Sequence, residues 1–294
     1  MRAKTIVAHQ LVQGIAFLLI LLLGAIGAYC LPADQPQEKK SEIILINPQK
    51  RAAIKTVVID PGHGGDEVGA EGKDGIFEKD IVIDIAERLK KQLMKIPDLK
   101  IILTRDKDIT MPLDERTAIA NHNRADLFIS IHVNASKGKK ASGAETFFLS
   151  YEAADEEIRT LAALENNVVG LPQEKAGENK GLEMILWDMA QAQYLQESSE
   201  LAESIQKEFN EMLGVRDRGI KQAPFRVLMG ATMPAVLVEV GFLSNPAEEE
   251  KLKSSSYRDE ITGAIFRSVL KYKEMVEKRI GKTGAQENPR LLNQ

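Results

Sequence analysis

The sequence predicts an α/β fold: a mixed, mostly parallel twisted sheet of about six strands, flanked by helices on both faces, with a helical insertion in its second half. Three observations carry that expectation. Short runs rich in Val, Ile and Leu alternate with longer stretches of helical period. The run L-F-I-S-I within 125–132 is apolar at nearly every position, as in a strand covered on both faces. Several strands run straight into glycine or asparagine, residues that favour turns.

The elements follow in order. Residues 55–60 (K-T-V-V-I-D) read as the first strand. Residues 79–95 read as an amphipathic helix, because Ile81, Ile85, Leu89 and Leu93 recur every four positions on one face. A strand is expected at 99–104 and a helix at 113–123, which starts after Pro112. Strands at 125–132 and 144–149 come next. Helical stretches are expected at 154–169, 182–195 and 198–213. Apolar runs at 224–229 and 235–240 read as the last strands, and 257–279 as a closing helix.

At the N-terminus, Arg2 and Lys4 precede an apolar run from Gly14 to Leu31 that contains Gly24, Ala25, Gly27 and Ala28 near its end. The pattern of residues 1–31 reads first as a cleaved signal peptide and second as an uncleaved anchor. Tyr29 before Cys30 argues against a lipidated cysteine. Each reading exports the chain, to the periplasm or cell envelope, with the N-terminal segment as its one expected membrane contact. Residues 32–54 read as a polar, Pro-containing linker and 55–278 as the globular domain, with the insertion at about 151–195. Residues 279–294 read as a disordered tail.

Of the 294 residues, 44% are hydrophobic and 28% charged, enough apolar material for a sizeable core. The net charge is −4 with no concentrated basic block, so nucleic acid is excluded as a main partner. Cys30 is the single cysteine, which excludes an intramolecular disulfide and any Cys-rich metal site. Any metal ion must be held by histidine and carboxylate.

In open α/β sheets, ligands bind beyond the carboxyl ends of the strands. Three expected strand ends carry unusual residues. The first runs V-V-I-D-P-G-H-G-G and sets His63 among glycines. The third ends S-I-H-V-N, with His132 and Asn134. The last, A-V-L-V-E-V-G-F, sets Glu239 among apolar neighbours. A lone His63 would read as a turn residue, and a lone His132 as a satisfied core imidazole. Two histidines at neighbouring strand ends fit a metal site better. Glu78, in D-G-I-F-E-K-D, is the candidate third ligand, with Asp74 and Asp80 nearby as others; the plainer reading of Glu78 is a helix N-terminal carboxylate. Burying an unpaired carboxylate is costly, so Glu239 is either ion-paired, to Arg105 or Arg116, or a general base. Arg105, in T-R-D, and Asn134 are candidates for substrate binding, or for capping and closing turns. His122 reads as a surface residue.

Taken together, V-V-I-D-P-G-H-G-G, E-K-D, T-R-D, L-D-E-R-T-A-I-A-N, A-D-L-F-I-S-I-H-V-N-A and M-P-A-V-L-V-E-V-G-F-L-S-N-P resemble the motifs of the zinc-dependent N-acetylmuramoyl-L-alanine amidases of the type-3 amidase family, in order, over about 55–275. The resemblance implies one Zn2+ per chain, held by His63, Glu78 and His132, with Glu239 as the catalytic residue. It implies a peptidoglycan substrate and hydrolysis of the amide between N-acetylmuramic acid and L-alanine. The insertion, with E-N-N-V-V-G and L-E-M-I-L-W-D-M-A-Q-A-Q, resembles that of the division-associated members. That implies a segment near the active site that covers the zinc until an activator with an inactive peptidase-like domain withdraws it, and a role in daughter-cell separation. A carboxylate of the insertion would fill the open zinc position, with Glu174, Glu178 and Glu183 as candidates. Two other readings stand beside this one: a zinc peptidase cutting within stem peptides, and a cell-wall-binding protein without activity.

Overall fold

A computed structural model of the chain describes residues 53–287, apart from 137, 151 and 167–181; for 182–191, 193 and 281–287 it describes the backbone alone. The expected signal or anchor segment and nearly all of the linker lie outside these residues. In order, the elements are β1 (Thr56–Pro61), α1 (Glu78–Leu93), β2 (Lys100–Leu103), α2 (Leu113–His122), β3 (Leu127–Asn134) and β4 (Ala144–Leu149). Then come α3 (Glu156–Asn166), α4 (Leu182–Leu213), β5 (Asp217–Ala223), β6 (Ala235–Phe242), α5 (Pro246–Lys253) and α6 (Ser255–Glu287). Among the described residues no helix is long and apolar enough to cross a membrane.

The strands form one six-stranded sheet in the order β2-β1-β3-β6-β4-β5. The first four run parallel, β4 runs antiparallel to β6, and β5 runs parallel to β4. The sheet is therefore mixed and mostly parallel, as its apolar strands predict. The carboxyl ends of β1, β3 and β6 share one edge with the amino ends of β4 and β5.

Strand alternation assigns each side chain to a face. Val57, Ile59, Ile129, Ile131, Val236 and Val238 join one core with α1, α4 and α6, where Ile81, Ile85, Leu89, Ile205, Phe209 and Ile265 are buried. Val58, Phe128, Phe147 and Leu237 join the other with Ile158 and Leu161 of α3, Ala120 of α2, and Phe225 and Leu228. The same period sends Asp60, Ser130, His132, Glu145 and Glu239 to the second face, towards the shared edge.

Three elements depart from the sequence expectation. The run 224–229 is not a strand: Arg226–Leu228 form a 3-10 turn whose Val227 and Leu228 pack into the second core. The strand there is β5, D-R-G-I-K-Q-A, whose polarity reflects its place at the sheet edge. The stretches 182–195 and 198–213 are one helix, because Ser198 is accommodated inside it, its hydroxyl donating to the Tyr194 carbonyl at 2.6 Å. The closing helix α6 also continues to Glu287, past the expected boundary at 278.

Buried charge holds the end of β1. Asp60 is fully buried and accepts from Thr104 Oγ1 at 2.5 Å, Ser130 Oγ at 2.7 Å and Arg116 Nη1 at 2.9 Å. Burial disfavours its charge, but Arg116 and the two hydroxyls outweigh that and keep its carboxyl below the usual range. Arg116, itself buried, also donates to the carbonyls of Pro61, His63 and Met111. Removing one partner of such a pair leaves the other charge buried and alone. Arg116→Met should lower the unfolding free energy by about 3–5 kcal/mol in urea titration, and Asp60→Asn added to it should recover part of the loss.

Candidate metal and active site

The turn after β1 is bent into an uncommon shape. His63 has φ 55, in the left-handed region that non-glycine residues seldom occupy. Two buried arginines hold it there through its carbonyls. Arg116 Nη2 donates to the His63 carbonyl at 2.9 Å. Arg105 donates to the Pro61 carbonyl at 3.0 Å and the Gly62 carbonyl at 2.7 Å. Glycine is required at two positions because other side chains stand where a Cβ would be. A Cβ on Gly62 would lie 2.4 Å from the His132 ring, and one on Gly69 would lie 2.5 Å from Glu78 Oε2.

His63 and His132 thus meet edge to face, ring centroids 5.0 Å apart. Glu78, at the first position of α1, reaches both. Its Oε1 lies 3.0 Å from His132 Nδ1 and accepts from the Val133 amide at 2.9 Å; its Oε2 lies 3.2 Å from His63 Nε2 and accepts from the Ala70 amide at 2.8 Å. The fourth member is Glu165, from the last turn of α3. Its Oε2 lies 3.2 Å from His63 Nε2 and 2.9 Å from His132 Nδ1. One ligand atom from each of the four residues lies within 4.8 Å of the others.

The donors fit a metal ion. His63 Nε2 and Glu165 Oε2 are buried, and although carboxylate and imidazole lie close, neither atom makes a well-directed hydrogen bond. Two imidazoles and carboxylate oxygens are a donor set suited to zinc and related ions. Without a metal, the acids and bases pair with one another. Burial opposes charge on His63, but Glu78 and Glu165 outweigh it and push the imidazole up to about 9. His132 moves the same way, and Glu78 is held far below its usual range by the two imidazoles despite burial.

Glu239 lies beside this cluster, its residue paired with His132 across β3 and β6. It is fully buried, and among the described residues neither oxygen has a hydrogen-bond partner. Neither arginine considered from the sequence pairs with it: Arg116 binds Asp60, and Arg105 binds backbone carbonyls. Burial, then the charge of Glu165, raises its pKa well above the carboxylate range.

The structure brings His63, Glu78, His132 and Glu239 together from three strand ends and one helix start. Arg105 is buried, with donors on the carbonyls of Pro61, Gly62, Lys79 and Lys107. Asn134 is buried at the end of β3 and donates to Glu145 at 2.8 Å. Asp74 pairs with Lys253, Asp80 is exposed, and His122 is exposed. Glu174 and Glu178 lie outside the described residues, as does the side chain of Glu183. Glu165 was missed by sequence reasoning, although a signal was present. Ile158, Leu161, Ala162 and Glu165 follow the i, i+3, i+4, i+7 stripe of a buried helix face, so α3 turns a carboxylate inwards.

Comparison with known proteins gives one family. A family model described as N-acetylmuramoyl-L-alanine amidase matches residues 57–271. The chain is 34% identical over 218 residues to the N-acetylmuramoyl-L-alanine amidase AmiC of Escherichia coli O6:H1, covering 74% of this chain and 52% of that protein. It is 34% identical over 226 residues to AmiA of E. coli K12, covering 76% and 78%. The chain thus spans about half the length of the AmiC relative. Among solved structures, an N-acetylmuramoyl-L-alanine amidase from Clostridium difficile 630 superposes with TM-score 0.57 at 34% identity, covering 75% of this chain and 97% of that one. The CwlD amidase of Clostridioides difficile, in complex with the GerS lipoprotein, superposes with TM-score 0.57 at 28% identity, covering 75% and 99%.

The geometry predicts the metal response of individual variants. A divalent transition ion at 100 times its Kd should stabilise the metal-free chain by about 2.7 kcal/mol in thermal unfolding. His63→Ala and His132→Ala should lose most of that shift, whereas Glu165→Ala, which keeps three ligands, should retain it.

Proposed function

The chain belongs to the N-acetylmuramoyl-L-alanine amidase family, and on that premise we propose that it hydrolyses the amide between N-acetylmuramic acid and the L-alanine of the peptidoglycan stem peptide. His63, Glu78 and His132 would hold one zinc ion. Zinc in that position supplies a Lewis acid that polarises the amide carbonyl and acidifies water. Glu239 is the general base and acid. It takes a proton from the attacking water, then returns it to the L-alanine amine as the carbon–nitrogen bond breaks. The observation that carries this reading is the isolation of Glu239: a buried carboxylate beside a His/Glu/His cluster, both oxygens without a hydrogen-bond partner among the described residues. Burial raises its proton affinity, which suits a group that accepts a proton in one step and returns it in the next.

Glu165 supports a further reading, that α3 holds the site closed. Its carboxylate occupies the position among the ligand atoms that water or substrate needs. The resting chain is then autoinhibited, and an activator with an inactive peptidase-like domain would withdraw α3. This fits a division-associated amidase exported to the periplasm or cell envelope through residues 1–31, with 55–278 as the catalytic domain.

Three measurements test these readings. Glu239→Gln should keep its metal and lose about 10²–10⁴-fold in release of stem peptide from purified murein. Near-full activity in that variant would remove Glu239 as the base. Mass spectrometry of the digest should show intact stem peptides beginning with L-alanine; cuts inside the peptide would favour the peptidase instead. Glu165→Ala should raise the activity of a sample without activator, and an unchanged rate would remove α3 as the closing element.

A further inference from the structure

A second cluster of charge lies on the same face, at the far side of Glu239. Glu145, near the start of β4, stands opposite Glu239 in the antiparallel register and is buried. Its Oε1 accepts from Asn134 Nδ2 at 2.8 Å. Its Oε2 accepts from Arg218 Nε at 3.0 Å and Lys221 Nζ at 2.5 Å. Arg218 and Lys221 are three residues apart on β5, a spacing that puts them on opposite faces of a regular strand. Gly219, at φ 78, changes this. Ala144 pairs with Asp217 and Thr146 with Ile220, so three steps on β5 match two on β4, which is a β-bulge. The bulge returns Lys221 to the face of Arg218, and both reach Glu145.

The cluster borders a cavity of about 220 Å³, lined among others by Asn134, Glu145, Phe147, Lys221, Phe242 and, from α3, Leu161. Arg218 stacks over the Phe242 ring, its guanidinium carbon 4.9 Å from the centroid. Its outer nitrogen, Nη2, donates at 2.6 Å to Glu157, also from α3. Glu157 and Glu165 are eight residues apart on that helix, about 12 Å along its axis. α3 therefore delivers two carboxylates to this edge of the sheet: Glu165 to the histidines and Glu157 to Arg218. With Glu157 present, two cations face two carboxylates. When it leaves, Arg218 and Lys221 share Glu145 alone, and one positive charge remains over an aromatic floor. A guanidinium with one arm fixed and one arm open is a receptor for a carboxylate.

We propose that Arg218, with Lys221 beside it, is a specificity-determining residue that binds a free carboxylate of the substrate's stem peptide, and that Glu157 fills the same position while α3 is docked. The inference rests on the amidase reading. The N-acetylated sugars of the glycan are neutral, so the anionic groups of the substrate lie on its peptide, and the Arg218 side of the site is the peptide side. An extended peptide advances about 3.3–3.6 Å per residue, so 12 Å corresponds to about three residues past the scissile amide. His132, Glu239, Glu145 and Arg218 then form a row across β3, β6, β4 and β5, with hydrolysis at one end and peptide recognition at the other.

The test uses two soluble muropeptides that differ only in whether the carboxylates of the first three peptide residues are free or amidated. The parent is the full chain carrying Glu157→Gln and Glu165→Ala, so that neither carboxylate of α3 occupies the site, and kcat and KM are measured for both substrates. The parent should favour the free carboxylate by about 10- to 100-fold in kcat/KM, mostly through KM. Arg218→Gln should lose that preference, its kcat/KM for the two substrates becoming equal, and Arg218→Lys should restore part of it. Because each preference is a ratio within one variant, a reduced folded fraction cancels. Equal kcat/KM for the two substrates in the parent overturns the proposal, and this holds even if Arg218→Gln does not fold. So does a preference that survives Arg218→Gln, or a rise on both substrates, which would make Arg218 a latch for α3 alone. If the parent cleaves neither muropeptide, the amidase reading itself fails and takes this inference with it.

Discussion

The site depends on one buried ion pair. Asp60, near the end of β1, lies where water cannot solvate it, so it needs a cation, and Arg116 supplies it. Once Arg116 is drawn in, its remaining donors must also be satisfied. They go to the carbonyls of Pro61, His63 and Met111, which holds His63 in a left-handed conformation. Arg105 adds a second grip, binding the Pro61 and Gly62 carbonyls and the Lys79 carbonyl in the first turn of α1. Through these two guanidiniums, the position of one imidazole and the start of the helix bearing Glu78 are set by the same interior electrostatics.

The period of the strands does the rest of the positioning. Val58, Phe128, Phe147 and Leu237 lie in one core, and residues two or four steps along each strand lie on the same face, nearer the edge. That rule alone brings Asp60, Ser130, His132, Glu145 and Glu239 to one surface. The reversal of β4 matters here. Because β4 runs antiparallel to β6, the start of β4 is beside the end of β6, and Glu145 meets Glu239 instead of lying at the opposite edge. A parallel β4 in the same order would leave the Arg218 cluster remote from the histidines.

Charge explains why α3 docks where it does. Glu78 and Glu165 balance the two imidazoles, but Glu239 has no cation of its own. The result is an enclosed region rich in carboxylate, which favours a bound cation. The same helix places Glu157 against Arg218, so α3 is held at two points by ion pairs, with Ile158, Leu161 and Ala162 buried between them. Asn166 adds a neutral tie, donating to the Pro224 carbonyl and accepting from the Arg226 amide, both at 2.8 Å. A helix held by ion pairs and hydrogen bonds over a modest apolar stripe can be released without disturbing the sheet beneath it.

Much of this was legible in the chain. The helical stripe of α1, the continuous apolar run of β3 and the glycines around His63 report local preference, and local preference decides which elements form and which faces they bury. His63, His132 and Glu239 stood out because an imidazole or carboxylate at the end of an apolar strand conflicts with its surroundings. β5 did not stand out, because an edge strand needs few apolar residues, whereas 224–229 is apolar for a different reason: it packs under α2 and α3 as a turn. What Arg105 and Glu165 bind follows from something no short window contains. A guanidinium's partners, and the direction in which a helix-borne carboxylate points, depend on segments that arrive from tens of residues away. The sequence by itself determined the layers, the faces and most of the candidate ligand set; the docking of α3 and the internal contacts of Arg105 were decided only when packing brought distant charges into one low-dielectric space, where each had to find a partner.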